Sequence, residues 1–202
     1  VLLIQLAREP VPGMVKTRML PALSPEQACE LHRELVLWTS RTLTGAGLGR
    51  VELHVAGNPL SPLFDECRAL GVSAVLPQTG QDLGERMYRA LQDGLERHAK
   101  VILVGSDCPQ IDADYLADAV ESLESAEAVL GPAEDGGYVL IGVNCLVRGW
   151  FEDVDWGSET VFAETVARFA ASGTSWQPLP VLQDIDRPED LPVWRSIVDN
   201  PR

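Results

Sequence analysis

Three cationic side chains, Arg8, Lys16 and Arg18, fall within eleven residues of an otherwise acidic chain, in the run Arg8-Glu9-Pro10-Val11-Pro12-Gly13-Met14-Val15-Lys16-Thr17-Arg18. A lysine offers a point charge and an arginine a planar fork, both suited to phosphate, and Gly13 lets backbone approach a ligand. The GxxxxGK[ST] spacing of a Walker A loop is absent. Carboxylates that would complement a bound phosphate stand elsewhere. Asp107 sits in Ser106-Asp107-Cys108-Pro109, and Asp184 and Asp186 are two residues apart, so they project to one side of an extended segment. Hard oxygen donors of this kind suit Mg²⁺ or Mn²⁺ bound to a phosphate.

Two further stretches carry unusual chemistry. In Gly131-Pro132-Ala133-Glu134-Asp135-Gly136-Gly137-Tyr138, two carboxylates and two glycines are packed between apolar runs. Asp135, or secondarily Glu134, could act as general base on an incoming hydroxyl, with Gly136 and Gly137 leaving room for substrate. Gln78-Thr79-Gly80-Gln81-Asp82-Leu83-Gly84-Glu85-Arg86 opens a helix, and its N–H groups could hold a base, ribose or phosphate. Plainer readings stand beside these: a solvated loop for the basic run, helix caps for Asp82 and for the Asp184/Asp186 pair, a turn-former for Asp107, and a tight turn for Asp135-Gly136.

The elements that must position these loops alternate along the chain. Val1 to Ala7 is an apolar run ended by a Pro/Gly-rich loop, the pattern of a strand buried on both faces. Ser24-Pro25-Glu26-Gln27 reads as a capped helix start, followed by Ala28, Leu31, Leu35, Trp38 and Thr42 at helical spacing. Strands are expected at 51–56, 73–76, 101–105, 128–131 and 138–143. Helices are expected at 63–70, 83–97, from Asp112 to about 123, at 160–171 and at 188–198. This alternation implies one domain over residues 1–202, an α/β fold with a three-layer α/β/α sandwich and a mostly parallel mixed sheet, its ligands at the carboxyl ends of the strands.

Composition excludes other classes. In 202 residues there are 30 Asp+Glu against 16 Lys+Arg, a formal charge of −14, which repels nucleic acid and anionic membrane surfaces. No apolar run approaches the roughly 20 residues of a membrane span. The cysteines, Cys29, Cys67, Cys108 and Cys145, form no CxxC pair, which argues against zinc and for reduced thiols in a cytoplasmic protein. His32, His54 and His98 are dispersed and form no nucleophile-base pattern. The five tryptophans read as core or rim. The helices' apolar residues are accounted for by the sheet, so no dimer stripe stands out and the oligomeric state is open.

In order, Pro12 to Arg18, Asp82-Leu83-Gly84-Glu85-Arg86-Met87, Gly105 to Pro109, Gly131 to Tyr138 and Asp184-Ile185-Asp186-Arg187-Pro188-Glu189-Asp190-Leu191 closely resemble the DUF2064 glycosyltransferase-like family. That family resembles nucleotide-diphospho-sugar transferases of the GT-A fold and is similar to 2-phospholactate guanylyltransferases. The resemblance implies that Gly13, Lys16, Arg18, Arg8 and Asp82 face the nucleotide and its phosphates. It further implies that Asp107, Asp184 and Asp186 hold the metal, and that Glu134, Asp135, Gly136, Gly137 and Tyr138 line the acceptor side. Arg8 stands where the family usually has Lys, and Trp156-Gly157-Ser158 where Trp-Ser-Thr is usual.

The expected activity is metal-dependent transfer of a glycosyl group from a nucleotide sugar to a small-molecule acceptor. The rival is nucleotidyl transfer from a nucleoside triphosphate with release of pyrophosphate. A binding module without turnover is the third reading.

Overall fold

The computed structural model describes residues 1–20 and 22–199. Seven strands and six α-helices follow one another: β1 (Leu2–Arg8), α1 (Pro25–Gly45), β2 (Arg50–Ala56), α2 (Pro62–Ala69), β3 (Ala74–Pro77), α3 (Leu83–Leu95), β4 (Val101–Val104), α4 (Ala113–Ser122), β5 (Ala128–Pro132), β6 (Tyr138–Val143), α5 (Val161–Ser172), β7 (Trp176–Pro178) and α6 (Leu191–Asp199). The strands form one sheet in the order β3-β2-β1-β4-β6-β5-β7, in which β6 alone runs against its neighbours.

The sheet is buried because its strands present apolar side chains to both faces, Leu3 to one and Leu2 and Ile4 to the other. Helices α1, α2 and α4 cover the first face through Val36, Leu43, Leu63, Phe64 and Leu116. Helices α3 and α5 cover the second through Met87, Leu91 and Phe169, together with the fully buried Trp150. Each such side chain taken wholly out of water contributes about 1.5–3 kcal/mol relative to exposure. A smaller cluster joins Met19, Leu31, Leu35, Ile185 and Trp194 and seats α6 against α1.

Helix starts follow from local chemistry. Ser24 and Gln27 form the expected capping box on α1, with Pro25 in the first turn. Asp82 accepts from the Glu85 N–H and Asp112 from the Tyr115 N–H, fixing where α3 and α4 begin. Glu85 reaches back to the Gln81 N–H rather than to that of Asp82, so the box expected there is displaced by one residue. α3 stops at Leu95, two residues before the expected end at Arg97.

β7 has no counterpart in the sequence reading. It is three residues long, ends in Pro178, and pairs in parallel only with β5, so it has neither the length nor the alternation that marks a strand. The four cysteines are free thiols. Among the described residues no helix is long and apolar enough to cross a membrane.

Candidate active site

The carboxyl ends of β1, β3 and β4, the start of β6 and the segment 184–186 enclose a cleft of about 600 Å³. A buried polar network sets its floor. Gln5, the one polar residue inside the apolar run of β1, accepts from the Ser40 hydroxyl at 2.7 Å and donates to Ser106 Oγ at 2.9 Å, and the Ser106 hydroxyl in turn donates to the Leu6 carbonyl at 2.7 Å. The loop after β4 is thereby tied to β1, and Asp107 follows directly into the cleft.

Lys16 is the centre of the basic loop. Its backbone is left-handed, φ 49°, an uncommon conformation outside glycine that costs energy unless the surroundings hold it. They do so through the side chain, which is almost fully buried. Lys16 Nζ lies 2.8 Å from Asp107 Oδ1 and donates to the Ile185 carbonyl, while the Ile185 N–H donates to the Asp107 carbonyl at 2.8 Å. Three segments distant in sequence thus close a triangle, and the Ile185 side chain anchors it in the α1/α6 cluster.

Arg18 pairs with Asp186 at 2.5 Å, a bond that raises the guanidinium's affinity for its proton further. Asp186 N–H and Arg187 N–H both donate to Asp190 Oδ2, so Asp190 performs the capping that could have fallen to Asp184 and Asp186. Burial would raise the Asp107 carboxyl, but the charge and hydrogen bond of Lys16 outweigh it and hold Asp107 below the usual carboxylate range. Asp184 behaves oppositely. It has no ion pair among the described residues, and burial followed by repulsion from Asp135, Asp107 and Asp186 pushes it up to about 6.

The structure brings together Arg8, Lys16, Arg18, Asp82, Asp107, Asp135, Tyr138, Asp184 and Asp186 as cleft-lining residues. It does not bring Gly13, Glu134, Gly136 or Gly137 to the lining. Glu134 sits in the turn after β5, where its N–H donates to the Leu182 carbonyl and laces that turn to the segment leading to Asp184. Gly136, φ 88°, is required by close packing, since a Cβ there would stand 2.0 Å from the Glu159 carbonyl oxygen. Asp135 accepts from the Gly137 N–H through Oδ1 at 2.9 Å, so it is both turn-former and cleft wall. Tyr138 stands edge-on to Trp156, its hydroxyl buried with no hydrogen-bond partner among the described residues, and burial raises its pKa.

His32 and Gln78 also reach the cleft. His32 binds the Arg8 carbonyl at 3.0 Å, and burial lowers its pKa, keeping the imidazole neutral. Gln78 donates through Nε2 to the carbonyls of Ala7 and His54, clamping the ends of β1 and β2. Gln78 belongs to the stretch 78–86 already read as able to hold a ligand, and Gln5, in the network beneath the cleft, carried a signal as a polar side chain in an otherwise apolar strand.

Among the described residues no three His, Cys, Asp or Glu side chains are gathered closely enough to form a metal cage. The donor chemistry nonetheless fits Mg²⁺ or Mn²⁺. Asp184 is a crowded carboxylate without a cation, Asp107 shares the cleft with it, and Mg²⁺ is ordinarily held by one or two carboxylates with phosphate oxygens and waters completing the shell. Asp186 is engaged by Arg18 instead.

Residues 39–158 match the family described as "Uncharacterized protein conserved in bacteria (DUF2064)", and the chain belongs to it. No curated protein matches the chain. A crystal structure from Desulfovibrio desulfuricans G20, provisionally named a nucleotide-diphospho-sugar transferase, is similar over 99% of this chain and 88% of its own, with 28% identity and a TM-score of 0.85. A nucleotidyl transferase from Methanothermobacter thermautotroptrophicus is similar over 98% of both chains, with 14% identity and a TM-score of 0.67. CMP:2-keto-3-deoxy-manno-octonic acid synthetase in complex with CTP is similar over 98% of both chains, with 11% identity and a TM-score of 0.61. The architecture is therefore the GT-A-like fold common to nucleotidyl- and nucleotide-sugar transferases.

Proposed function

We propose that the chain is a nucleotide-dependent transferase that binds the diphosphate of a nucleotide sugar in the main cleft and passes the glycosyl group to a small acceptor. The observation that carries this reading is the meeting of Lys16 and Arg18 with Asp107, Asp184 and Asp135 in one cleft. Cations alone would suit any anion, and carboxylates alone would repel phosphate. Their combination suits a phosphate accompanied by a divalent cation.

Asp107 and Asp184 would hold that cation, which when bound neutralises the leaving diphosphate. Lys16 and Arg18, which line the same cleft and of which the second is half-exposed, would stabilise charge as it develops on the phosphates. Asp135 would accept the proton of the acceptor hydroxyl. The likeness to the provisionally named sugar transferase supports glycosyl transfer. A second reading, nucleotidyl transfer from a nucleoside triphosphate, is supported by the likeness to the nucleotidyl transferase and the CTP-bound synthetase.

The test is a thermal-shift screen of nucleoside triphosphates and nucleotide sugars with Mg²⁺, Mn²⁺ or EDTA, followed by product analysis with the ligands that stabilise. Metal-dependent stabilisation by a nucleotide sugar, with nucleoside diphosphate as product, is expected. Pyrophosphate release from a triphosphate would replace this reading with the second. Stabilisation without turnover across an acceptor panel would leave a binding module.

A further inference from the structure

The two ion pairs of the main cleft differ in what it takes to open them. The Lys16 side chain is 4% exposed and divides its charge between Asp107 and the Ile185 carbonyl, so parting it from Asp107 strands a buried charge. The Arg18 and Asp186 side chains are 54% and 28% exposed, and an ion pair that water reaches contributes little net stability. Of the Arg18 guanidinium only Nη1 is engaged, by Asp186 Oδ2. Its Nε and Nη2 have no partner among the described residues, and the Asp186 carboxylate accepts from no other side chain there.

The backbone beneath both side chains is fixed. Arg18 lies in a single 3₁₀ turn, Thr17–Met19, between Lys16 of the triangle and Met19, which is fully buried in the cluster of Leu31, Leu35, Ile185 and Trp194. Asp186 directly follows Ile185, and its N–H is held by Asp190 Oδ2 at 3.0 Å. The pair can therefore part by side-chain rotation alone, and the half-exposed arginine has solvent to rotate through. Charge decides what each half then demands. Arg18 feels Asp135 and Asp184 as well as Asp186, so it stays on the cleft side, where an anion would meet it. Asp186, once released, is a partly buried carboxylate that repels Asp184, and only a cation relieves that.

We propose that Arg18 and Asp186 form an exchange latch that makes a divalent cation and a diphosphate bind cooperatively in the main cleft. A phosphate draws Arg18 into a charge-assisted fork and leaves Asp186 as a further oxygen donor for the cation. A cation that engages Asp186 in turn releases Arg18 for the phosphate. Either ligand alone must break the pair and leave one half of it uncompensated. This rests on the transferase reading above and adds how the two ligands of that cleft depend on each other.

The test is a double-mutant cycle on the full chain. Binding of Mn²⁺ alone is read from the electron paramagnetic resonance signal of the free ion. Binding of ADP, GDP, CDP and UDP is read by calorimetry, in EDTA and with Mn²⁺, and circular dichroism confirms that each variant is folded. In the wild-type chain each ligand is expected to tighten the other by about tenfold or more, by the same factor in both directions. Arg18→Met is expected to tighten Mn²⁺ alone by about threefold or more because it frees Asp186, and the same substitution made on Asp186→Asn is expected to give no gain. Asp186→Asn is expected to tighten a nucleoside diphosphate in EDTA by a similar factor, and to give no gain on Arg18→Met. Gains that persist without the partner residue are the general effect of removing a charge and overturn the latch, as does the absence of gains in the single variants. Independent binding of Mn²⁺ and nucleotide to the wild-type chain overturns the latch alone. Failure of Mn²⁺ and of every nucleotide to bind, separately or together, overturns the main-cleft reading and the latch with it.

Discussion

Two ion-pair clusters in this molecule contain the same ingredients and do opposite things. On the flank of the sheet, Glu52 is buried on β2, and both of its oxygens accept from the Arg97 fork at 2.7 and 2.9 Å, with His54 Nε2 3.5 Å away. Bond and charge match there, and Arg97 holds the Glu52 carboxyl below the usual range. In the main cleft, Lys16 and Asp107 are matched and Arg18 and Asp186 are matched, yet Asp184 is left crowded and raised. A closed cluster contributes to stability. An open one leaves a carboxylate uncompensated, and that difference separates the two clusters more sharply than burial does.

Substitutions can break this contrast. Asp107→Asn should lower kcat/KM about a hundredfold or more, the scale of a lost transition-state electrostatic contact, with circular dichroism unchanged. Activity within a few fold of wild type would remove Asp107 from the metal site. Lys16→Met should weaken nucleoside diphosphate binding by at least tenfold, read by calorimetry, and also lower Tm, because it leaves Asp107 and the Ile185 carbonyl without their donor. Loss of Tm without loss of affinity would make the lysine structural only.

The flank should respond in the reverse sense. Glu52→Gln is expected to cost about 1.5–3 kcal/mol of unfolding free energy, the range for hydrogen bonds to charged groups, with activity intact; a loss of activity at constant stability would link the two clusters. Asp184→Asn should lower activity but raise the Tm of the ligand-free protein at pH 7.5, since it removes a carboxylate repelled by Asp135, Asp107 and Asp186. A fall in Tm would mean that Asp184 is already compensated.

The smallest effect is in pH. Because Arg97 depresses the folded-state value of Glu52, its contribution is fully present above the ordinary carboxylate range of about 4.3 and is lost as the pH falls through the depressed value. The stability gap between wild type and Glu52→Gln, followed by urea unfolding, should be constant from pH 7 to 5 and narrow below about 4. A gap that is independent of pH would assign it to packing.

Much of the site was legible because short stretches carried dense signals. Arg8, Lys16, Arg18, Asp107 and Asp135 reach one cleft from the ends and loops that the strand pattern places at the carboxyl edge of a parallel sheet, and Asp184 joins them from a segment that follows no expected strand. What was not legible depended on direction or distance. In the turn after β5, successive residues point different ways, so Glu134 leaves the cleft while Asp135 stays, and Gly136 answers to the Glu159 carbonyl 23 residues on rather than to substrate. The pairing of Arg18 with Asp186 spans 168 residues, and nothing local announces it.

The triangle of Lys16, Asp107 and Ile185 also bears on how the molecule comes into being. During synthesis β1, β2, β3 and β4 can emerge and pair while the segment bearing Ile185, and α6, which packs with it against α1, are still to be made. A nascent chain therefore has the basic loop and the first carboxylate without the contact that holds Lys16 in place. The main cleft is therefore completed only after the segment bearing Ile185 has been made, and a chain cut short of that segment would hold a paired sheet with the edge of the cleft unfinished.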